Sequence, residues 1–313
     1  SLLVIDDEAD NASVDTGEQL FDEQGNPDEE HQPKTINSLI RKILHAFESK
    51  AYVGYTATPF ANIFIHRQGE TKDEGPDLYP KAFIINLAAP SNYVGPAKIF
   101  GLSTPEGRTE GLPLMRLIGD HINKETPGGW MPVKHSKEHV PLFNGQETVP
   151  TSLRKAIQAF ALACTARELR GQGSEHSSML VHVTRLVHVQ KHVTAQVESA
   201  LRKLKQGVLR GTEPSLILEL QELWEPDFAP TSQAVGAMSS DTDGPIISIA
   251  WKEIADKLPD VLEDISVRMI NGSAKDALDY AEVTSHGLKV IAVGGDKLSR
   301  GLTLEGLCIS YFV

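Results

Sequence analysis

Four apolar residues, Leu2-Leu3-Val4-Ile5, run without a break into Asp6-Asp7-Glu8-Ala9-Asp10. Such a run is what a strand covered on both faces requires, and the carboxyl end of a strand is where open parallel sheets keep their ligand chemistry. Adjacent carboxylates repel one another unless a cation lies among them. Hard Mg²⁺, which takes oxygen ligands and keeps several waters, is the usual guest beside a nucleotide phosphate. The competing reading is an acidic helix start, because carboxylates complement the positive end of a helix. The pattern returns further on, where the short apolar stretch Ala51 to Tyr55 empties into Thr56-Ala57-Thr58-Pro59. Between the two, Ile36, Leu39, Ile40, Ile43, Leu44 and Phe47 recur at helical spacing behind Thr35 in a capping position. Strand, helix and strand in this order predict a βαβ unit and an α/β fold with parallel sheets.

The rest of the chain repeats that grammar. Residues 15–34 are acidic and turn-rich, which predicts an exposed loop. After an apolar stretch at Lys81 to Leu87, the Gly- and Pro-rich segment 89–115 reads as a connection leaving the first domain. Helical patterns come next in "LPLMRLIGDHINK" and "VPTSLRKAIQAFALACTARELRG". "SSMLVHVTR" restarts strand character, a helix is expected from about Val187 to Lys205, and "VRMING", "LKVIAVGG" and "LCISYFV" read as buried strands. Residues 206–264 carry no clear period. The expected organisation is a first α/β lobe over 1–90, a linker and helical region over 91–172, and a second α/β lobe over 173–313.

Composition narrows the function classes. A hydrophobic content of 40% and mean hydropathy of -0.21 describe a soluble globular protein, with no apolar run near the roughly 18 residues that a membrane helix needs. The apolar start has no basic leader, so no signal peptide is expected, and two cysteines, Cys164 and Cys308, suit a reducing cytoplasm. The net charge of -12 is unevenly spread, because residues 1–30 hold eleven acidic and no basic residues. Residues 151–210 instead hold ten Lys or Arg against three Glu, including Arg154, Lys155, Arg167, Arg170, Arg185, Arg202, Lys203 and Lys205. This local excess suits a polyanion such as nucleic acid, with a solvated helix face as the alternative.

Near the end, "GGDKLSRGLTLEG" presents glycines and an arginine after a strand, a combination that suits phosphate contact. Taken in order, Asp7-Glu8-Ala9-Asp10 resembles motif II of superfamily 2 helicases and translocases, Thr56-Ala57-Thr58 resembles motif III, and "GGDKLSRGLTLEG" resembles motif V. "SNYVGPAKIFG", "SSMLVHVTR" and "LSRGLTLEGLCISYF" look more closely like the Z1 domain family, whose bacterial members are described as endonucleases or restriction-associated ATPases. The resemblance implies two RecA-like lobes, the first incomplete, with a helical insertion between them. It implies ATP and Mg²⁺ as cofactors of the full-length protein, DNA as partner, restriction-system subunits or nuclease domains as further partners, and a cytoplasmic setting without a membrane.

Carried over by position, Asp7 would hold Mg²⁺ through water, and Glu8 would orient or deprotonate the attacking water. Asp10, Thr56, Ala57 and Thr58 would couple nucleotide state to the two lobes. Gly295, Ser299, Arg300 and Gly301 would contact nucleotide or nucleic-acid backbone; independently of the resemblance, the basic excess of residues 151–210 offers Arg185, Arg202, Lys203 and Lys205 for phosphate contacts. Thr303 stands where the commonest motif V has an Asp, and the extra Asp6 leaves the motif II register open by one residue. The chain has no G-x-x-x-x-G-K-[ST] phosphate loop, from which an interior piece of a longer protein is expected, inactive alone.

Two other functions stay open on the sequence: an endonuclease with its metal in the Z1-specific region, and a DNA-binding or assembly module without catalysis. Glu70-Thr71-Lys72 has the Glu-x-Lys shape of many nucleases, but no Asp on the preceding strand shares its metal. His135 with His139, and His182, His188 and His192, have ligand-like spacing without a carboxylate or Cys to complete a shell.

Overall fold

Strand β1 (Leu2–Asp7), helix α1 (Thr35–His45) and strand β2 (Lys50–Tyr55) form the expected βαβ unit, with β1 and β2 parallel and Asp6 opposite Gly54. In this computed structural model the described residues are 1–17, 33–90, 93–122, 129–211, 213–238, 246–270, 286–295 and 303–313. They fall into two units, Ser1–Pro90 and Ser91–Val313.

In the first unit, β2 is followed by a short helix α2 (Phe60–Ile63) and a two-residue ladder of β3 (Glu70–Thr71) with β4 (Gly75–Pro76). β1 departs from the expectation of a strand covered on both faces. Its burial alternates along the strand, leaving Leu3 60% and Ile5 65% exposed. Among the described residues β1 pairs with β2 alone, and the face that carries Leu3 and Ile5 is uncovered. α1 carries no side-chain cap, so Thr35 opens the helix without capping it. The helix also buries the side that its apolar spacing would turn outward. Asn37 and Arg41 are buried, while Ile36, Leu39 and Ile43 are exposed.

The cause of that inversion is a polar network. The Arg41 guanidinium donates to Thr71 Oγ1 at 2.9 Å and to the Gly75 carbonyl, and lies 3.9 Å from the Asp77 carboxylate. Asn37 Nδ2 donates to the Ser13 carbonyl at 2.8 Å and to Asp77 at 3.2 Å. Glu74 accepts from Thr71 at 2.7 Å and Ser38 at 2.9 Å, with Lys42 at 3.2 Å. Buried charge is tolerated when it is paired and hydrogen-bonded, which is the condition met here.

The second unit opens with a short helix α3 (Pro96–Phe100) and a hairpin of β5 (Leu102–Thr104) and β6 (Gly107–Thr109). Residues 112–122 are not helical, contrary to the spacing of their apolar residues. Pro113 supplies no amide donor, and the Arg116 side chain binds the Pro113 and Met115 carbonyls, both at 2.9 Å, together with Asp227 and Thr231. Asp120 then accepts from the Ser152 amide at 2.8 Å, which caps α4 (Thr151–Leu169) from outside the helix.

A parallel four-stranded sheet completes the unit, in the order β10-β7-β9-β8, from β7 (Ser177–His182), β8 (Ile265–Ile270), β9 (Lys289–Gly294) and β10 (Leu307–Phe312). The long helix α5 (Val187–Arg210) leaves the carboxyl end of β7 and packs on β8 and β9. α6 (Pro214–Leu223), a π-helical turn at Trp224–Phe228, α7 (Ala229–Met238) and α8 (Trp251–Asp264) fill the stretch that carries no clear period. The central strands β7 and β9 are nearly continuously buried, as their apolar runs predict, while the edge strand β10 is half exposed. One core joins α4, α5, α8 and the sheet through Leu153, Phe160, Met179, Val193, Leu262 and Ile291. The architecture is therefore mixed α/β with parallel sheets. No described helix is long and apolar enough to cross a membrane.

Candidate functional site

Asp6, Asp7, Glu8 and Asp10 lie together at the carboxyl end of β1, and their surroundings divide them into two pairs. Side chains alternate along a strand, so Asp6 and Asp7 face opposite ways. Asp6 accepts from the Tyr52 hydroxyl at 2.5 Å. Gly54 stands opposite Asp6, and a Cβ there would come within 2.8 Å of the buried Ala9 Cβ, so the missing side chain lets the turn after β1 pack against β2. Burial, and then the Asp6 carboxylate, hold the Tyr52 phenol far above its usual pKa, so it remains a donor. Asp6 is thus engaged with Tyr52, and Asp7 is exposed.

Beyond Asp7 the chain turns sharply. Glu8 has φ of 56°, a left-handed backbone that non-glycine residues rarely adopt and that other structure must hold in place. Three contacts hold it. Ala9 N–H donates to the Tyr55 carbonyl at 3.0 Å, Asn11 N–H to the Glu8 carbonyl at 2.9 Å, and Asn62 Nδ2 to the Ala9 carbonyl at 2.9 Å. Asp10 then swings toward the end of β2, where its Oδ1 accepts from Thr56 at 2.6 Å and its Oδ2 from Thr58 at 2.7 Å. The Thr58 amide donates to Thr56 Oγ1 at 2.9 Å, closing the turn, and Ala57 sits between the two hydroxyls.

The structure thus brings Asp10, Thr56 and Thr58 into direct contact and leaves Asp7 and Glu8 exposed beside them. Two adjacent carboxylates with oxygen donors only fit a hard cation that keeps its own waters. Among the described residues no group of three or more His, Cys, Asp or Glu is arranged to hold a metal by itself. Tyr52 and Asn62 are missed by motif reading, since both act through a position that only strand register and the α2 turn create.

In the second unit the predicted residues separate. Gly295 follows β9 and packs against the turn after β7; a Cβ there would meet the Thr184 carbonyl at 2.3 Å and the Arg185 Cα at 2.8 Å. Gly295 and the exposed Arg185 therefore share the carboxyl edge of the sheet. Gln190, on the first turn of α5, donates to the Thr184 carbonyl at 2.8 Å, while its buried Oε1 has no partner among the described residues. Ser299, Arg300 and Gly301 lie outside the described residues. Arg202, Lys203 and Lys205 sit at the other end of α5, about 25 Å along the axis from Arg185 at 1.5 Å per residue. Arg202 and Lys203 are exposed. Lys205 Nζ donates to the Glu263 and Ile265 carbonyls at 3.1 and 2.8 Å, capping α8 at the amino edge of the sheet. Burial lowers its pKa.

Other members of the basic segment are also engaged. Arg154 pairs with Glu219 at 2.5 Å, and Arg170 donates to the Ile247 carbonyl at 3.3 Å. Of the histidines, His135 contacts the Pro132 carbonyl at 2.9 Å and Thr184 at 2.8 Å, His139 contacts the Trp130 carbonyl at 3.0 Å, and His182 lies tilted by 35° against the Phe312 ring. Thr71 of the Glu-x-Lys sequence is buried in the Arg41 network.

No curated protein and no solved structure matches this chain. The Z1 domain family does, over residues 152–313, a span that begins at the capped start of α4 and takes in the whole four-stranded sheet. That span is just over half of the 313 residues, and the chain belongs to the Z1 domain family.

Proposed function

We propose that this chain carries the nucleotide-responsive elements of a superfamily 2 helicase-type motor, built on two RecA-like lobes, that uses ATP to act on DNA. The family resemblance points to a bacterial restriction or defence setting. The observation that supports the reading most is the Asp10 carboxylate bridging the Thr56 and Thr58 hydroxyls at the ends of adjacent parallel strands. A motor needs its hydrolytic residues tied to an element that can report their state, and this contact ties the acidic run to the next strand.

Asp7 and Glu8 are the exposed carboxylates of the run, the first suited to hold Mg²⁺ and the second to orient or deprotonate water. When bound, the cation would neutralise charge on the nucleotide phosphates. The left-handed backbone at Glu8 ends the strand directly after Asp7, and we assign the two carboxylates separate roles on that basis. The carboxyl edge near Arg185 and Gly295 suits backbone phosphate contact.

Glu8→Gln tests the assignment in the natural full-length protein. ATP binding should persist while DNA-stimulated hydrolysis falls at least a hundredfold, about 3 kcal/mol of transition-state stabilisation. Turnover equal to the parent would reduce the acidic run to a strand end and remove the motor reading.

A further inference from the structure

Four parts of the second unit enclose a cavity of about 300 Å³, the lower end of the range for small-ligand sites. Its apolar wall is Trp224, at the start of the π-helical turn, with Ile246 and Ile249 from the segment that leads into α8. Trp224 Nε1 donates to the Ile249 carbonyl at 3.3 Å, and the centre of its ring lies 5.8 Å from that of Phe228, so the indole is fixed and its one polar atom is spent. What Trp224 offers the cavity is therefore ring carbon. π-helical turns are rare and often stand at functional sites. This one is held from outside by Arg116, which donates to Asp227 within it at 3.0 Å and to Thr231 just beyond it at 3.1 Å.

The same cavity collects polar groups whose hydrogen-bonding capacity is unused. Arg170, which closes α4, lines it. Its Nε donates to the Ile247 carbonyl at 3.3 Å, which fixes the guanidinium, while neither Nη has a partner among the described residues. The nearest carboxylate along α4, Glu168, is taken by Lys257 at 3.1 Å and Lys289 at 3.7 Å. Burial lowers the Arg170 pKa, and no carboxylate counteracts it. Ser232 and Gln233 of α7 and Ser248 also line the cavity, and their side chains make no hydrogen bond among the described residues. A partly buried cation with two idle nitrogens and no counter-ion is costly until an anion completes it.

We propose that this cavity binds a small carboxylate with an apolar body of about one ring, its carboxylate on the Arg170 Nη pair and its body against Trp224, Ile246 and Ile249. The ligand class follows from the charge and the wall. One guanidinium balances one negative charge in two parallel hydrogen bonds, whereas a phosphate dianion would leave a second charge unbalanced beside apolar side chains. Ser232, Gln233 and Ser248 remain to select among polar substituents on the body. Gly236 keeps the space open, because a Cβ there would already touch Ile246 at 3.6 Å and a longer side chain would fill the cavity. The site lies within the second unit and does not depend on the motor reading.

The test follows the fluorine NMR line of 4-fluorobenzoate added to the whole chain, with 4-fluorobenzyl alcohol as the uncharged probe of the same shape. The carboxylate line should broaden, unlabelled benzoate should reverse the broadening, and the alcohol line should stay sharp. Arg170→Met, which removes the charge and keeps the stem, should weaken binding roughly tenfold or more. Gly236→Leu should abolish it by filling the space, and leucine at a helical position that glycine holds favours the fold. If Arg170→Met fails to fold, the alcohol comparison and Gly236→Leu decide. A carboxylate line that stays sharp, equal broadening of both probes, or broadening that survives Gly236→Leu would each overturn the proposal.

Discussion

Replacing Thr56 and Thr58 by Val, singly and together, removes both donors to Asp10 while keeping side-chain shape. A hydrogen bond to a charged group contributes about 1.5–3 kcal/mol net. The Asp10 carboxylate is only partly buried and Thr58 is exposed, so the low end of that range is an upper bound for each bond. Thr56→Val should cost ~1.5 kcal/mol, because Thr56 also accepts from the Thr58 amide, and Thr58→Val ~1 kcal/mol. Added independently they would amount to about 2.5 kcal/mol, roughly a 70-fold rise in the local opening constant. The readout is hydrogen exchange of the Ala9 amide, whose bond to the Tyr55 carbonyl at 3.0 Å spans the same turn. Because both hydroxyls share one carboxylate, the double variant should depart from the sum of the singles. Ala9 exchange within twofold of the wild type in the double variant would refute the bridging role. So would strict additivity of two small effects. In the full-length protein the double variant should keep nucleotide binding and lose DNA stimulation.

Two further outcomes are expected from other parts of the molecule. The Thr71 hydroxyl, with Ser38 and Lys42, holds the Glu74 carboxyl down to about 2, so its contribution is complete above the ordinary glutamate range and is lost as pH falls from about 4.5 toward 2; about 2 kcal/mol of first-unit stability should disappear in that window after screening at the half-exposed Lys42, and α1 exchange should show the same fall in wild type but not in Glu74→Gln. Arg202→Glu with Lys203→Glu, leaving the capping Lys205 intact, should weaken duplex DNA binding and reduce the salt slope by about 2, and an unchanged anisotropy titration would return both residues to a solvated helix face.

How far the fold can be read from the residues depends on how local its cause is. β7 and β9 are legible because a strand in the middle of a parallel sheet needs apolar residues on both faces. The run Leu2 to Ile5 looks the same, yet it alternates in burial, since an apolar run states what a strand tolerates and not how many neighbours it has. The stretch 112–122 departs from its pattern for a different reason: Arg116 gathers the nearby carbonyls, and Asp227 that anchors it is more than a hundred residues away. Asp10, Thr56 and Thr58 can be named from their order along the chain. Tyr52 and Asn62 cannot, because Tyr52 reaches Asp6 only through the parallel register of β1 and β2, and Asn62 reaches the Ala9 carbonyl only from the α2 turn.

Charge counting meets the same limit, and the acidic run shows how it is overcome. Four carboxylates within five residues would repel strongly, at ~1 kcal/mol for a pair 4 Å apart even in bulk water. The fold relieves this by direction and by donors. Strand alternation separates Asp6 from Asp7, the left-handed turn at Glu8 redirects the chain toward the end of β2, and three hydroxyls serve Asp6 and Asp10. Among the described residues Asp7 and Glu8 receive no such hydroxyl. Conversely, Arg154, Arg167, Arg170 and Lys205 look like free cations in the sequence, yet each binds a specific partner in the second unit. The charges that remain exposed after internal pairing are, among the site residues described, Asp7 and Glu8 at the end of β1, Arg185 just before α5, and Arg202 and Lys203 along it.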